Sequence, residues 1–143
     1  MIYYLIFDEL REELGPDRAE ELLSRAIYRR GELQGREKYS PFAPNDLAGL
    51  ETAFLAGIAD DGRMFQPEIL RSGAEGLDIK FHACPLKEAW LEAGLSEAKV
   101  AKLCHIAGVV DNGTFEAAGF AFSAETWRPG DEGCCFLHVR PGG

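Results

Sequence analysis

The sulfur and imidazole groups of this chain are four cysteines and three histidines, and all of them lie between residues 82 and 138. They are His82, Cys84, Cys104, His105, Cys134, Cys135 and His138, with Asp111 in their midst. Such groups suit a thiolate nucleophile beside a proton acceptor, or a soft metal centre. Leu77, Ile79, Phe81 and Ala83 alternate with Asp78, Lys80, His82 and Cys84, a strand period that puts His82 and Cys84 on one face. Pro85 then opens a helix, whose free amides favour a thiolate at Cys84 while His82 takes the proton. The plainer alternative makes Cys84 a small apolar residue at a strand end and His82 a surface side chain.

The other groups divide in the same way. Cys104 falls on the apolar stripe of its own helix, where cysteine commonly fills core. His105 points to another, solvated side. Asp111 precedes Asn112-Gly113 and reads as a turn residue. In the last strand, alternation groups Cys135 with Leu137 and Val139, and Cys134 with Phe136 and His138. Only one of the adjacent pair then faces the core. Cys135 is the better candidate, and Cys134 with His138 is the alternative. A zinc or iron ion held by Cys84, Cys104, Cys135 and a histidine such as His82 is chemically reasonable, but these spacings match no compact zinc motif.

The elements that must position these groups change character along the chain. Ile2 to Leu14 is expected as a helix with Tyr3, Phe7, Leu10 and Leu14 on one face. Asp17 to about Glu37 is a second, with Ala19, Leu22, Leu23, Ala26, Ile27 and Arg30 as its stripe and Gly31 and Gly35 weakening its last turns. Asn45 or Asp46 caps a third helix carrying Leu47, Leu50, Phe54 and Ile58. After a turn at Asp60-Asp61-Gly62 come a short strand near Ile69, the strand ending near Cys84, a helix from Pro85, and a helix capped by Ser96. A turn at Asp111-Asn112-Gly113 and two extended segments, Gly119 to Trp127 and Cys134 to Arg140, complete the chain. This order predicts an α+β fold: N-terminal helices packed on a small, mostly antiparallel sheet with two further helices.

With 143 residues, 46% of them hydrophobic, the chain fits a single domain with its own core. A formal net charge of -9 opposes binding to nucleic acid or anionic lipid. The apolar start, MIYYLIF, is too short to span a bilayer and lacks the features of a secretion signal, so a cytoplasmic location is expected. That start also makes a second copy of the chain a candidate partner. Phosphate-binding loops, dinucleotide fingerprints, HExxH, CxxC and GxSxG are absent from the sequence.

The run CPLKEAWLEAGLSEAKVAKLCHI, then Asp111, then SAETWRPGDEGCCFLHV resembles the L-2-amino-thiazoline-4-carboxylate hydrolase family. That family is marked by Cys-Pro before an amphipathic helix, a second cysteine about twenty residues on, an acidic residue, and a closing Gly-Asp-x-x-Cys-x-Phe. Here these fall on Cys84-Pro85, Cys104, Asp111, and Gly130-Asp131 with Cys135-Phe136, the last registration open by one position. The similarity is strongest over roughly residues 80 to 140, with a looser likeness at RRGELQG. It implies hydrolysis of a C–N bond in a small cyclic amidine, opening a thiazoline ring on a route to cysteine through an N-carbamoyl intermediate. Under it Cys84 is nucleophile or metal ligand, Cys104 and Cys135 complete a sulfur cluster, and His82 or Asp111 handles protons or positions water. The contrasting expectation is a non-catalytic module whose cysteines bind a ligand or metal, or sense redox state.

Overall fold

A computed structural model describes residues 1–58 and 62–142. The expected turn at residues 60–62 lies outside this range except for Gly62, whose φ is 82°. Among the described residues are helices α1 (Ile2–Leu14), α2 (Pro16–Gln34), α3 (Leu47–Ala56), α4 (Pro85–Glu92) and α5 (Glu97–Ala118). The strands are β1 (Pro67–Gly73), β2 (Gly76–Phe81), β3 (Ala121–Glu125) and β4 (Phe136–Arg140). The sheet order is β1-β2-β4-β3, antiparallel throughout, so the fold is α+β.

Strand alternation divides the sheet into two unlike faces. Leu77, Ile79, Phe81, Leu137 and Val139 are buried in the core. Asp78, Lys80, His138 and Arg140 occupy the alternate positions of the same strands and are only partly covered. Register across the centre pairs Ile79 with Leu137 and Asp78 with His138, so apolar meets apolar and polar meets polar.

The helices begin and cross for identifiable reasons. Asp46 Oδ1 accepts from Gly49 N at 3.0 Å and caps α3, while Ser96 Oγ accepts from Lys99 N at 3.3 Å and caps α5. In α2 the buried ridge is Ala19, Leu23, Ile27 and Gly31, and Arg30 and Ala26 are exposed. Gly31 and Gly35 do not simply weaken α2. A Cβ on Gly31 would meet Val110 O, one on Gly35 would meet Thr114 O, and one on Gly113 would meet the Tyr28 carbonyl. These glycines let the backbones of α2 and α5 approach, and a π-helical turn, Gly35–Tyr39, continues α2 along α5.

That crossing explains a departure from the sequence expectation. Asp111-Asn112-Gly113 is not a turn but lies inside the 22-residue α5. Local turn preference is overridden because Gly113 is needed at the crossing. The helix ends only at Gly119, in the left-handed region at φ 115°. At the start of the chain, Phe7 is buried, whereas Met1, Ile2, Leu5 and Ile6 remain exposed. No helix among the described residues is long and apolar enough to cross a membrane.

Candidate active site

Continuing α5 through Asp111 has a chemical consequence. Cys104 and Asp111 are seven residues apart, two helical turns, and therefore share a face. That face closes one side of a cavity of about 340 Å³. Phe54, Phe65, Phe81, Leu86 and Trp90 make its apolar walls, and Gln34 reaches it from α2. Cys84, Cys134 and Cys135 line it from the other elements.

The closing segment is fastened before the last strand begins. Phe81 O accepts from Cys134 N at 2.8 Å, and Phe81 N donates to Cys135 O at 2.9 Å. Lys80 Nζ donates to Cys134 O at 3.0 Å, and Lys87 Nζ donates to Gly133 O at 2.6 Å. Gly130 and Gly133 have φ of 94° and 71°, and Asp131 Oδ2 accepts from Arg128 N at 3.0 Å. Since β4 starts only at Phe136, strand alternation does not govern the cysteine pair. Both thiols enter the cavity, with their sulfurs 3.5 Å apart. The expectation that only one of them could face the core therefore fails.

All four cysteines are free thiols, with Cys104 and Cys134 buried and Cys84 and Cys135 half-buried. Cys134 is central. The neighbouring thiols, Cys104 first and then Cys135 and Cys84, favour its thiolate and lower it far below the usual thiol range, and Lys87 adds to this against the cost of burial. The three neighbours are pushed up, first by their bonds to Cys134 and then by burial. At Cys84, the N-cap of α4, the amides of Leu86 and Lys87 act the other way but do not prevail. The shifts favour ionisation at Cys134 over the other three thiols. Counting the closing motif from Gly130 also puts its cysteine at Cys134.

Asp111 is the cavity's other unusual group. Burial pushes its carboxyl up to about 7. It adds repulsion that raises Tyr39 and Cys135 further. Trp90 is fully buried, and its indole N–H has no partner among the described residues. An unpaired buried donor is costly, and a ligand acceptor would satisfy it.

His82 is placed elsewhere. β2 ends at Phe81 and the chain bends, so the period of two no longer holds and His82 parts from Cys84. Its Nε2 lies 2.6 Å from Glu68 Oε2, and both side chains are exposed. The four-ligand set Cys84, Cys104, Cys135 and His82 is therefore not assembled, and among the described residues no group of three or more His, Cys, Asp or Glu is placed to hold a metal ion. His105 is exposed, as expected. His138 lies on the outer sheet face, between Asp78 at 2.9 Å and Glu125 at 2.9 Å. Sequence reasoning passed over Gln34 and Lys87, and neither has a local signal beyond being polar next to an apolar stripe.

An α+β protein with a pocket lined by thiols and a carboxyl group, between its helices and sheet, is the class these features define. The chain belongs to the L-2-amino-thiazoline-4-carboxylic acid hydrolase family, whose model matches residues 1–138. The match extends well beyond the C-terminal stretch in which the resemblance is strongest and takes in α1, α2 and α3. No curated protein matches the chain.

Proposed function

We propose that the protein is a hydrolase that opens a small cyclic amidine, with Cys134 as nucleophile and Asp111 as the proton carrier. The observation that supports this reading is geometric: four free thiols, with the Cys134 and Cys135 sulfurs 3.5 Å apart, line one largely apolar cavity together with the buried carboxyl group of Asp111.

The Cys134 thiolate adds to the amidine carbon. The bond from that carbon to a ring heteroatom breaks, and the departing atom takes a proton from Asp111. Water then adds to the same carbon and gives one proton back to Asp111. The carbon–sulfur bond to Cys134 breaks, the thiolate leaves, and the second water proton ends on the amidine nitrogen as the carbonyl forms. Each cycle adds one water and restores both groups. Cys104, Cys84 and Cys135 act as positioning residues that keep Cys134 ionised.

The test is Cys134→Ser in a ring-opening assay with 2-amino-thiazoline substrates, following product by mass spectrometry. Turnover is expected to fall by about 10³-fold or more. Retention of a tenth of the activity in the folded variant would remove Cys134 from the role. Tight binding of the amidine with no turnover by the unaltered protein would favour the non-catalytic module instead.

A further inference from the structure

Two cysteines adjacent in sequence are held where they can react with one another. Phe81 binds the Cys134 N–H and the Cys135 carbonyl, and Lys80 and Lys87 bind the Cys134 and Gly133 carbonyls. This fastening brings both thiols to one cavity, with their sulfurs 3.5 Å apart. A disulfide needs about 2.05 Å. Side-chain rotation with slight backbone give covers that difference without moving a helix or strand. Cys84 and Cys104 also border the cavity, but from separate elements, the start of α4 and the middle of α5.

Cys134 is suited to start the reaction. Thiolates, not thiols, attack peroxides, and the surroundings of Cys134 favour its ionised form over those of its neighbours. Hydrogen peroxide, hardly larger than water, fits a cavity of about 340 Å³. Cys134 also borders a second, surface groove of about 510 Å³, lined by Lys80, His82 and Arg128 among others.

We propose that Cys134 and Cys135 form a modification site for small hydroperoxides, at which they close into a reversible disulfide. The Cys134 sulfur attacks one peroxide oxygen and the O–O bond breaks, giving a sulfenic acid and, after protonation, water or an alcohol. The Cys135 sulfur then attacks the Cys134 sulfur. The S–O bond breaks and water leaves with the Cys135 proton. Two thiols lose two electrons, and the hydroperoxide gains them. Neighbouring Cα atoms are about 3.8 Å apart, below the usual disulfide span of about 4.4 Å upwards. The bond is therefore strained and readily reduced, which makes the pair a switch rather than a staple. The modification stands on the thiol geometry; its effect on turnover rests on Cys134 being the nucleophile proposed above.

The test exposes the reduced, unaltered protein to graded hydrogen peroxide, then alkylates it with iodoacetamide in denaturant and maps each cysteine by mass spectrometry. Ring opening is assayed in parallel. The expected product has lost two hydrogens, with Cys134 and Cys135 protected, Cys84 and Cys104 alkylated, and full reversal by glutathione. Turnover is expected to fall at least about tenfold as the pair closes, and to return on reduction. A disulfide that uses Cys84 or Cys104, or no disulfide at all, overturns the inference. Closure of the pair with turnover unchanged removes Cys134 as nucleophile and leaves the modification site standing, and closure in a protein that never opens the ring contradicts the hydrolase reading alone. Cys135→Ser, checked for folding by circular dichroism, should instead gain oxygen at Cys134 up to the sulfinic acid, which glutathione does not reverse. Loss of two hydrogens in that variant, by pairing of Cys134 with another thiol, would show that Cys135 is not the partner.

Discussion

The two faces of the sheet use the same chemical vocabulary to opposite ends. On the outer face, His138 lies between Asp78 and Glu125, Arg140 Nη1 donates to Asp78 at 2.8 Å, and His82 meets Glu68. Each of these side chains has a charged partner. On the inner face, Asp111 has no cation beside it among the described lining residues, and four free thiols line the same cavity. The outer set resembles an ordinary surface network, which contributes little to stability and leaves its groups satisfied. The inner set keeps its groups perturbed, which is the condition that acid–base and nucleophilic chemistry require. Residue type alone does not identify a site; whether the surroundings leave the residue unsatisfied does.

The largest effect that would sharpen this contrast comes from removing a thiol beside Cys134. Cys104→Ala should lower turnover at pH 7 by about 10 to 10²-fold and restore part of it at higher pH, because the remaining thiolate is lost to protonation rather than displaced. A pH–rate profile distinguishes this from simple structural damage. If the loss is equal at all pH values, the cluster does not tune Cys134.

A smaller effect follows from Asp111. Its folded pKa is raised to about 7, so its contribution to stability is fully present below the unfolded carboxylate pKa and is lost as pH rises through about 7. The groups facing it are Tyr39, Cys135 and Gln34, with Cys104 on its own helix. Asp111→Asn should therefore raise the melting temperature at pH 8 by about 2–8 °C and leave it little changed at pH 4. Thermal unfolding at the two pH values checks this.

The smallest effects belong to the outer face. Burial raises the Asp78 carboxyl, but bonds from Arg140 and His138 outweigh it and hold the group below its ordinary value. Its stabilising contribution is present above the unfolded pKa and lost as pH falls through the folded one. Asp78→Asn should cost about 1 kcal/mol at pH 7, and His82→Ala should change turnover by less than about twofold. Urea unfolding and the ring-opening assay read the two. A large loss of activity in either would break the division between the faces.

Much of this was legible in the chain. Apolar periodicity gave the extent of α1, and Asn45 or Asp46 and then Ser96 marked the starts of α3 and α5, where the structure puts the caps at Asp46 and Ser96. The inward face of β2 was also readable from alternation. Cys84, Cys104, Asp111 and Cys135 were singled out, and the structure brings all four to one cavity. What local pattern could not supply was anything set by distant packing. Asn112-Gly113 looks like a turn until Gly113 meets Tyr28 across the helix crossing. The two cysteines look opposed until the loop before β4 is fastened to Phe81. His82 looks like the partner of Cys84 until the strand ends one residue too soon.

The most direct test of the central claim is the alkylation rate of each thiol in the intact protein, measured with iodoacetamide from pH 5 to pH 9 and mapped by mass spectrometry. Cys134 is predicted to react first, at a rate that barely changes above pH 6, while Cys84, Cys104 and Cys135 stay slow throughout. If no thiol stands apart, or if Cys134 gains reactivity only near the ordinary thiol pKa of about 8.5, the charge is not gathered on Cys134 and the account fails.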